Sequence, residues 1–495
     1  MLMVAGVAPA VSPVGTGAAV AAQGAAIPFD FDGDGYADLA VGVSSEDLRG
    51  KGNVGAVQVL YGSVSGVTAR DQLWHQGRRG VKGALERGDR FGEALASGDF
   101  DADGYADLAI GIPRENIGRK KDAGVVQVLY GSPSGLTARD QIWHQGKRGV
   151  PGANEAGDLF GLDLAVGDFD ADGFADLAVG IPWEDIGSIE NAGAVTVLLG
   201  SRSGLTSAGS VTLRQGRNGL PSTPGTHEGF GMHLAAGNIN GDAQDDLVVA
   251  GRWDADFLVP GHTDLQQASS PVHVIFGSTA GLTPSGSQYF SPETLGFNGE
   301  HEYTYMRWPT VADLNGDGLD DLAGWFDMWR PSVHLGSQLV VLHGHPDGLH
   351  LAPLQSANTP GSDGILATPE GYGWGLVTTD FNGDGPVDLV ASSDPWRDRA
   401  TIAAILGTGS GLGTSFVESP LGLVRPFSIG ALPLSGGSRE WLVVGGGGGP
   451  NGGGAVGVLQ GTAAGTAGPV TLWHQDSPGI KGRAEAGDLF GSVLG

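Results

Sequence analysis

The sequence predicts an all-β fold, a seven-bladed β-propeller of four-stranded antiparallel blades closed by a C-terminal strand that completes the first blade. Three observations carry this. An acidic segment recurs at a near-constant period, short apolar strands with glycine turns flank each copy, and the chain ends on a segment that elsewhere precedes an acidic copy. Four-stranded units at a fixed spacing bury their faces against their neighbours, which is the sequence mark of a propeller.

The acidic segment is Asp30-Phe31-Asp32-Gly33-Asp34-Gly35-Tyr36-Ala37-Asp38. It returns with Asp99, Asp101, Asp103, Tyr105 and Asp107, then with Asp168, Asp170, Asp172, Phe174 and Asp176. Looser copies hold Asn238, Asn240, Asp242, Gln244 and Asp246; Asp313, Asn315, Asp317, Leu319 and Asp321; and Asp380, Asn382, Asp384, Pro386 and Asp388. First positions lie 69, 69, 70, 75 and 67 residues apart. A seventh copy before Trp441-Leu442-Val443-Val444-Gly445 keeps no acidic loop. In the second unit the strands are predicted at 91–98, 107–112, 124–131 and 141–146. The chain ends with Phe490-Gly491 in the setting of Phe160-Gly161, which leads into the loop at Asp168. At that offset the next loop would begin at 498, which is 468 residues after Asp30, or seven periods of about 67. The last strand therefore belongs to the unit whose loop begins at Asp30, and closure removes the free sheet edges.

Each loop is predicted to hold Ca²⁺. Hard oxygen donors at positions 1, 3, 5 and 9, with the position 7 carbonyl, suit calcium, and glycine at position 6 permits the sharp turn. An EF-hand starts alike but needs a glutamate at position 12, where Val41, Ile110 and Val179 stand, and here a strand follows instead of a helix. The fourth loop, with less charge and Ala243 at the turn, is expected to be strained and to bind weakest. The six loops hold 20 ligand aspartates, and six Ca²⁺ would bring the formal charge from -28 to -16. That acidity disfavours nucleic acid and anionic membranes as partners. Absence of cysteine excludes disulfides, thiolate metal sites and a cysteine nucleophile.

At these loops, at Phe91-Gly92, Phe160-Gly161, Phe230-Gly231 and Phe490-Gly491, and at the Gly-Ile-Pro of 111–113 and 180–182, the chain resembles FG-GAP repeat proteins, including the N-terminal propeller of integrin α chains. The resemblance spans about 28–495 and implies calcium in blade loops, extracellular placement and a binding or adhesion role. Blade seven lacks the loop, and blades five and six carry Trp308-Pro309 and Tyr372-Gly373 near the FG position.

Residues 1–27 read as part of a secretory leader or as a disordered tail, with no basic n-region but with Ala19-Val20-Ala21 as a cleavage pattern. No segment is long and apolar enough to span a bilayer as a helix. Ligand contacts are expected on the face opposite the acidic loops, where segments near 251–271, 324–338 and 392–399 carry Arg252, Trp253, Phe257, Trp325, Phe326, Trp329, Arg330 and Trp396. The competing reading packs these aromatics as a satellite core. His75, His144 and His474 recur in a Trp-His-Gln motif and read as structural; Glu86, Glu155 and Glu485 read as blade-connection hydrogen bonding. His301-Glu302 is unique but lacks a nucleophile, and no zinc-type histidine pair is apparent. The sequence thus points to a secreted, monomeric, non-catalytic module for an extracellular protein or carbohydrate. The alternative is a secreted hydrolase or polysaccharide lyase on the same scaffold.

Overall fold

The computed structural model describes residues 26–251, 270–297, 303–330, 333–351, 365–367, 372–393, 401–421, 424–432, 440–447, 449–485 and 487–494. The leader expected in 1–25 lies outside them. Seven antiparallel sheets form the blades of a propeller. Blade two shows the pattern: Ala94–Gly98, Asp107–Ile112, Val125–Leu129 and Asp140–Trp143 pair in sequence order. The second and third strands are buried along their whole length. Apart from Asp107 and Gln127 these runs are apolar instead of alternating, because a neighbouring blade covers each face.

Glycine placement explains how tightly the blades approach. A Cβ on Gly111, in the second strand of blade two, would lie 2.2 Å from the Gly161 carbonyl oxygen of blade three. Gly42 and Gly180 face the Gly92 and Gly231 oxygens in the same way, at 2.4 and 2.2 Å. The FG glycines adopt φ of 87° to 93°, a left-handed conformation open to glycine at little cost. Each preceding phenylalanine is buried between blades. The described core falls into seven apolar clusters, one at each junction between consecutive blades.

The two chain ends meet in blade one. Val493–Leu494 is the innermost strand beside Leu39–Val43, with Val41 opposite Leu494 and Gly42 opposite Val493. It also packs against the first strands of blades two and seven, so the inner ring is continuous. The closing junction repeats the contacts of the others. Gln475 Nε2 donates to Glu46 Oε2 at 2.6 Å, as Gln76 does to Glu115 at 2.8 Å and Gln145 to Glu184 at 2.7 Å. Lys481 Nζ meets Asp71 at 2.7 Å, as Lys82 meets Asp140. In the Trp-His-Gln motif it is therefore the glutamine that links the blades. Within the blade connections the backbone N–H groups of Glu86, Glu155 and Glu485 donate to Asp89, Asp158 and Asp488 three residues on, and Glu86 Oε2 also accepts from Asn116 Nδ2 at 2.9 Å.

Two expectations need correction. The 324–338 connection of blade five is strand, Asp321–Arg330 followed by Val333–His343, because its apolar residues extend the hairpin and do not form an excursion. Ala243 also escapes the left-handed region; in the fourth loop Gly241 takes positive φ (74°) and its N–H donates to Asn238 Oδ1, so the strain expected there is absent.

Candidate functional site

Each acidic loop leads into the second strand of its blade, and in blades two to six it also follows directly from the first. The first-position aspartate fixes the turn: Asp34 N–H donates to Asp30 Oδ1 at 3.1 Å and Gly35 N–H to Asp30 Oδ2 at 2.9 Å. Asp99, Asp168, Asp313 and Asp380 accept the same pair of bonds. The ninth-position aspartate ties the loop to the base of the hairpin between strands three and four. Asp38 Oδ2 accepts from Phe31 N–H at 3.0 Å and Oδ1 from Gly62 N–H at 2.8 Å. Asp107, Asp176, Asp246 and Asp321 repeat this clamp, and Asp388 does so with the N–H of Asn382, one position later in the loop.

These bonds gather carboxylates. In Asp30/Asp32/Asp38, Asp99/Asp101/Asp107 and Asp168/Asp170/Asp176, one oxygen from each residue lies within 4.8 Å of the others. Asp34, Asp103 and Asp172, at position 5, fall outside those trios and accept the N–H of Tyr36, Tyr105 and Phe174. The later loops substitute amides. Asn240 Nδ2 donates to Asp242 Oδ2 at 3.0 Å and Asn382 Nδ2 to Asp384 Oδ2 at 2.9 Å, so a neutral donor satisfies a carboxylate there. Asn315 Nδ2 reaches Asp321 at 3.4 Å. Leu319 and Pro386 have no side-chain oxygen and leave only the backbone carbonyl as a donor at position 7, whereas Gln244 adds an amide oxygen.

The first three loops suit a hard cation. Their donors are oxygens, and Asp101 Oδ1 is buried with no hydrogen-bond partner among the described residues. Burial, with the neighbouring carboxylates, pushes Asp38 up to about 8, Asp107 to about 9 and Asp176 to about 8, against the hydrogen bonds from backbone N–H groups. Arg70 and Arg139 supply part of the missing charge: each pairs with Asp32 or Asp101 while stacking on Tyr61 or Tyr130, 3.9 and 4.0 Å from the ring centroids. Asp170 is in no ion pair of this kind among the described residues.

A pH dependence follows. Because the folded pKa values exceed the ordinary 3.8, the metal-free fold binds more protons than the unfolded chain, and these groups destabilise it progressively as pH rises from about 4 to about 8. A cation held by the same oxygens offsets that loss. The gain in melting temperature from calcium over EGTA should therefore be larger at pH 8 than at pH 5, and an equal or smaller gain at pH 8 would contradict this.

Two residues of the expected aromatic ligand surface can be placed, and neither lies on a surface. Trp325 and Phe326 are fully buried in the cores flanking blade five, because their strand has a neighbour on each face. Trp329 and Arg330 end that strand, but their side chains, with Arg252, Trp253, Phe257 and Trp396, lie outside the described residues; so does His301-Glu302. The packing alternative holds for the two that can be placed.

A cavity of about 520 Å³ runs among the innermost strands, and all seven blades line it. It contains Glu93, Asp163, His233 and Trp308, none of which the repeat pattern singled out as functional, because they stand where other blades carry apolar or small residues. Asp163 accepts from Leu164 and Leu234 N–H at 3.0 and 2.9 Å, and burial pushes it up to about 7. The Trp308 ring lies 5.4 Å from that of His233, and its buried indole N–H has no partner among the described residues.

A family model described as FG-GAP repeat matches residues 23–60, 91–129 and 160–198. The chain carries FG-GAP repeats. The matched stretches contain the three all-aspartate loops. Over 261 residues, 52% of this chain, it is 35% identical to phosphatidylinositol-glycan-specific phospholipase D of Bos taurus, and the match covers 26% of that protein. Over 157 residues, 30% of this chain, it is 33% identical to integrin alpha-PS2 of Drosophila melanogaster, covering 11% of it. The FG-GAP chain thus spans a minor part of the length of these curated relatives. Among solved structures it resembles rhamnogalacturonan lyase YesW, with a TM-score of 0.40 and 13% identity over 89% of this chain and 73% of that one. No helix among the described residues is long and apolar enough to cross a membrane.

Proposed function

We propose that this FG-GAP propeller is a secreted, calcium-stabilised module that captures an extracellular protein or carbohydrate and performs no chemistry of its own. The observation that supports it best is the repeated oxygen-only loop, clamped into every blade from one to six and gathering three carboxylates in each of the first three. Asp30, Asp32, Asp34 and Asp38, with their counterparts in the other loops, would hold Ca²⁺, and the fourth loop would hold it weakest because Asp242 and Asp246 are its only aspartates at these positions and Asn240 already occupies Asp242. Bound calcium neutralises the crowded carboxylates and fixes the loops. Similarity to integrin alpha chains favours a binding role, and the monomeric, extracellular setting is part of the same proposal. The test is a glycan array and a panel of extracellular matrix proteins probed with calcium-loaded protein. Reproducible capture that is lost in EGTA is expected; absence of capture on every surface counts against it.

The axial cavity favours a second reading, a hydrolase or lyase, since Glu93, Asp163 and His233 place two acids and a base around one space. Turnover of a glycan or ester that Asp163→Asn abolishes would establish that reading instead.

A further inference from the structure

The turn between the third and fourth strands of blade five departs from its repeat in a chemically coherent way. In blade two the turn is Gly131-Ser132-Pro133-Ser134-Gly135-Leu136-Thr137, and in blade five it is Gly344-His345-Pro346-Asp347-Gly348-Leu349-His350. The backbone residues are kept. The three hydroxyl positions become two histidines and an aspartate.

Turn geometry already brings these positions together. Ser132 and Ser134 Oγ atoms are 2.9 Å apart, as are the Oγ of Ser278 and Oγ1 of Thr283 at the first and last of the three positions in blade four. In blade five the same backbone makes the imidazoles converge. His345 Nδ1 and His350 Nε2 both meet Asp347 Oδ1, the latter at 2.7 Å, and one ligand atom from each residue lies within 4.8 Å of the others. All three are exposed. Hydrogen bonds from His350 and His345 hold the Asp347 carboxyl below its usual range.

We propose that His345, Asp347 and His350 bind a divalent transition-metal ion of the Zn²⁺ class, distinct from the calcium loops. Two imidazole nitrogens and one carboxylate are three protein ligands of borderline and hard character, a set that suits Zn²⁺ or Ni²⁺ better than Ca²⁺, and exposure leaves the remaining positions to water. The ion replaces protons now shared between the rings and the carboxylate. Blade four holds the turn in place. Gln288 Oε1 accepts Leu349 N–H at 2.7 Å and its Nε2 donates to the Asp347 carbonyl at 3.3 Å, while Gly348, at φ 111°, packs so closely on Gln288 that a Cβ would come within 2.3 Å of Oε1. The ligands therefore sit on a framework fixed before any ion arrives.

Calorimetric titration of the calcium-saturated chain with Zn²⁺ tests this. A triple variant, His345→Ser with Asp347→Ser and His350→Thr, rebuilds the turn of blade two and so keeps a sequence this fold already accommodates. Binding of one Zn²⁺ by the native chain, weakened about tenfold or more in the triple variant at an unchanged melting temperature, is expected. His350→Thr alone, which removes one ring and keeps the turn, should weaken binding by a smaller factor. Equal Zn²⁺ binding by native and variant chains, or none by the native chain, overturns the proposal.

Discussion

Truncation after Leu489 is expected to abolish the folded monomer. The deletion removes the innermost strand of blade one, whose Val493 and Leu494 pair with Gly42 and Val41. It also removes Phe490, fully buried in the cluster that joins blades seven and one. Loss of a buried phenylalanine side chain alone costs about 3–5 kcal/mol, a large share of the roughly 5–15 kcal/mol that holds a typical domain folded. The cut further exposes the edge of Leu39–Val43 and leaves Gly42 O without the Gly491 N–H that reaches it at 3.2 Å. Free strand edges invite pairing with other chains, so the truncated protein should elute as aggregate or lose its β-sheet circular dichroism. The single substitution Phe490→Ala should lower the melting temperature while leaving the ring assembled. A truncated chain that remains a folded monomer, melting within a few degrees of the intact one, would contradict closure by the C-terminal strand.

Much of this architecture was legible because a repeat reports itself. An apolar run beginning Asp-Leu after each loop, Asp-Leu-Ala-Val-Gly in blades one and three, gives the second strands, and the match of Phe490-Gly491 to Phe160-Gly161 gives both blade number and closure. What the repeat could not show is what departs from it. Trp325 and Phe326 looked like surface anchors because a cluster of aromatics and arginine in a predicted connection has the composition of a binding loop. Composition does not reveal that the strand continues and that a blade covers each face. His345, Asp347 and His350 escaped notice for a related reason: their spacing fits no helical metal motif, and only the hairpin turn makes them neighbours. The axial residues Asp163 and His233 occupy equivalent positions where the first strand begins in two successive blades, and their inward aim is visible only once the ring is built. Within the loops, the calcium pattern was apparent, but the second role of the ninth aspartate was not. Asp107 is wholly buried and accepts both Phe100 and Gly131 N–H, so it holds the hairpins together whether or not an ion is present.

Calcium removal should have the second large effect. An ion held with ~0.1 mM affinity at ~2 mM free calcium stabilises the fold by about 1.8 kcal/mol per site through mass action. Three all-aspartate loops then contribute about 5 kcal/mol, and with an unfolding entropy of roughly 2.1 cal/mol/K per residue over a ring of about 470 residues this corresponds to a shift of about 5 °C. Tighter sites, or occupancy of the amide-containing loops, would enlarge it. The carboxylate trios give the shift its direction, since each brings like charges together at a partly buried turn, and in blade two Asp101 Oδ1 has no donor among the described residues. The deciding measurement is a pair of thermal melts at pH 8, one in 2 mM calcium and one in EGTA. The predicted result is a melting temperature lower by about 5 °C or more in EGTA, restored when calcium is returned. Superimposable melts would contradict the claim that divalent cations at the acidic loops hold the ring together.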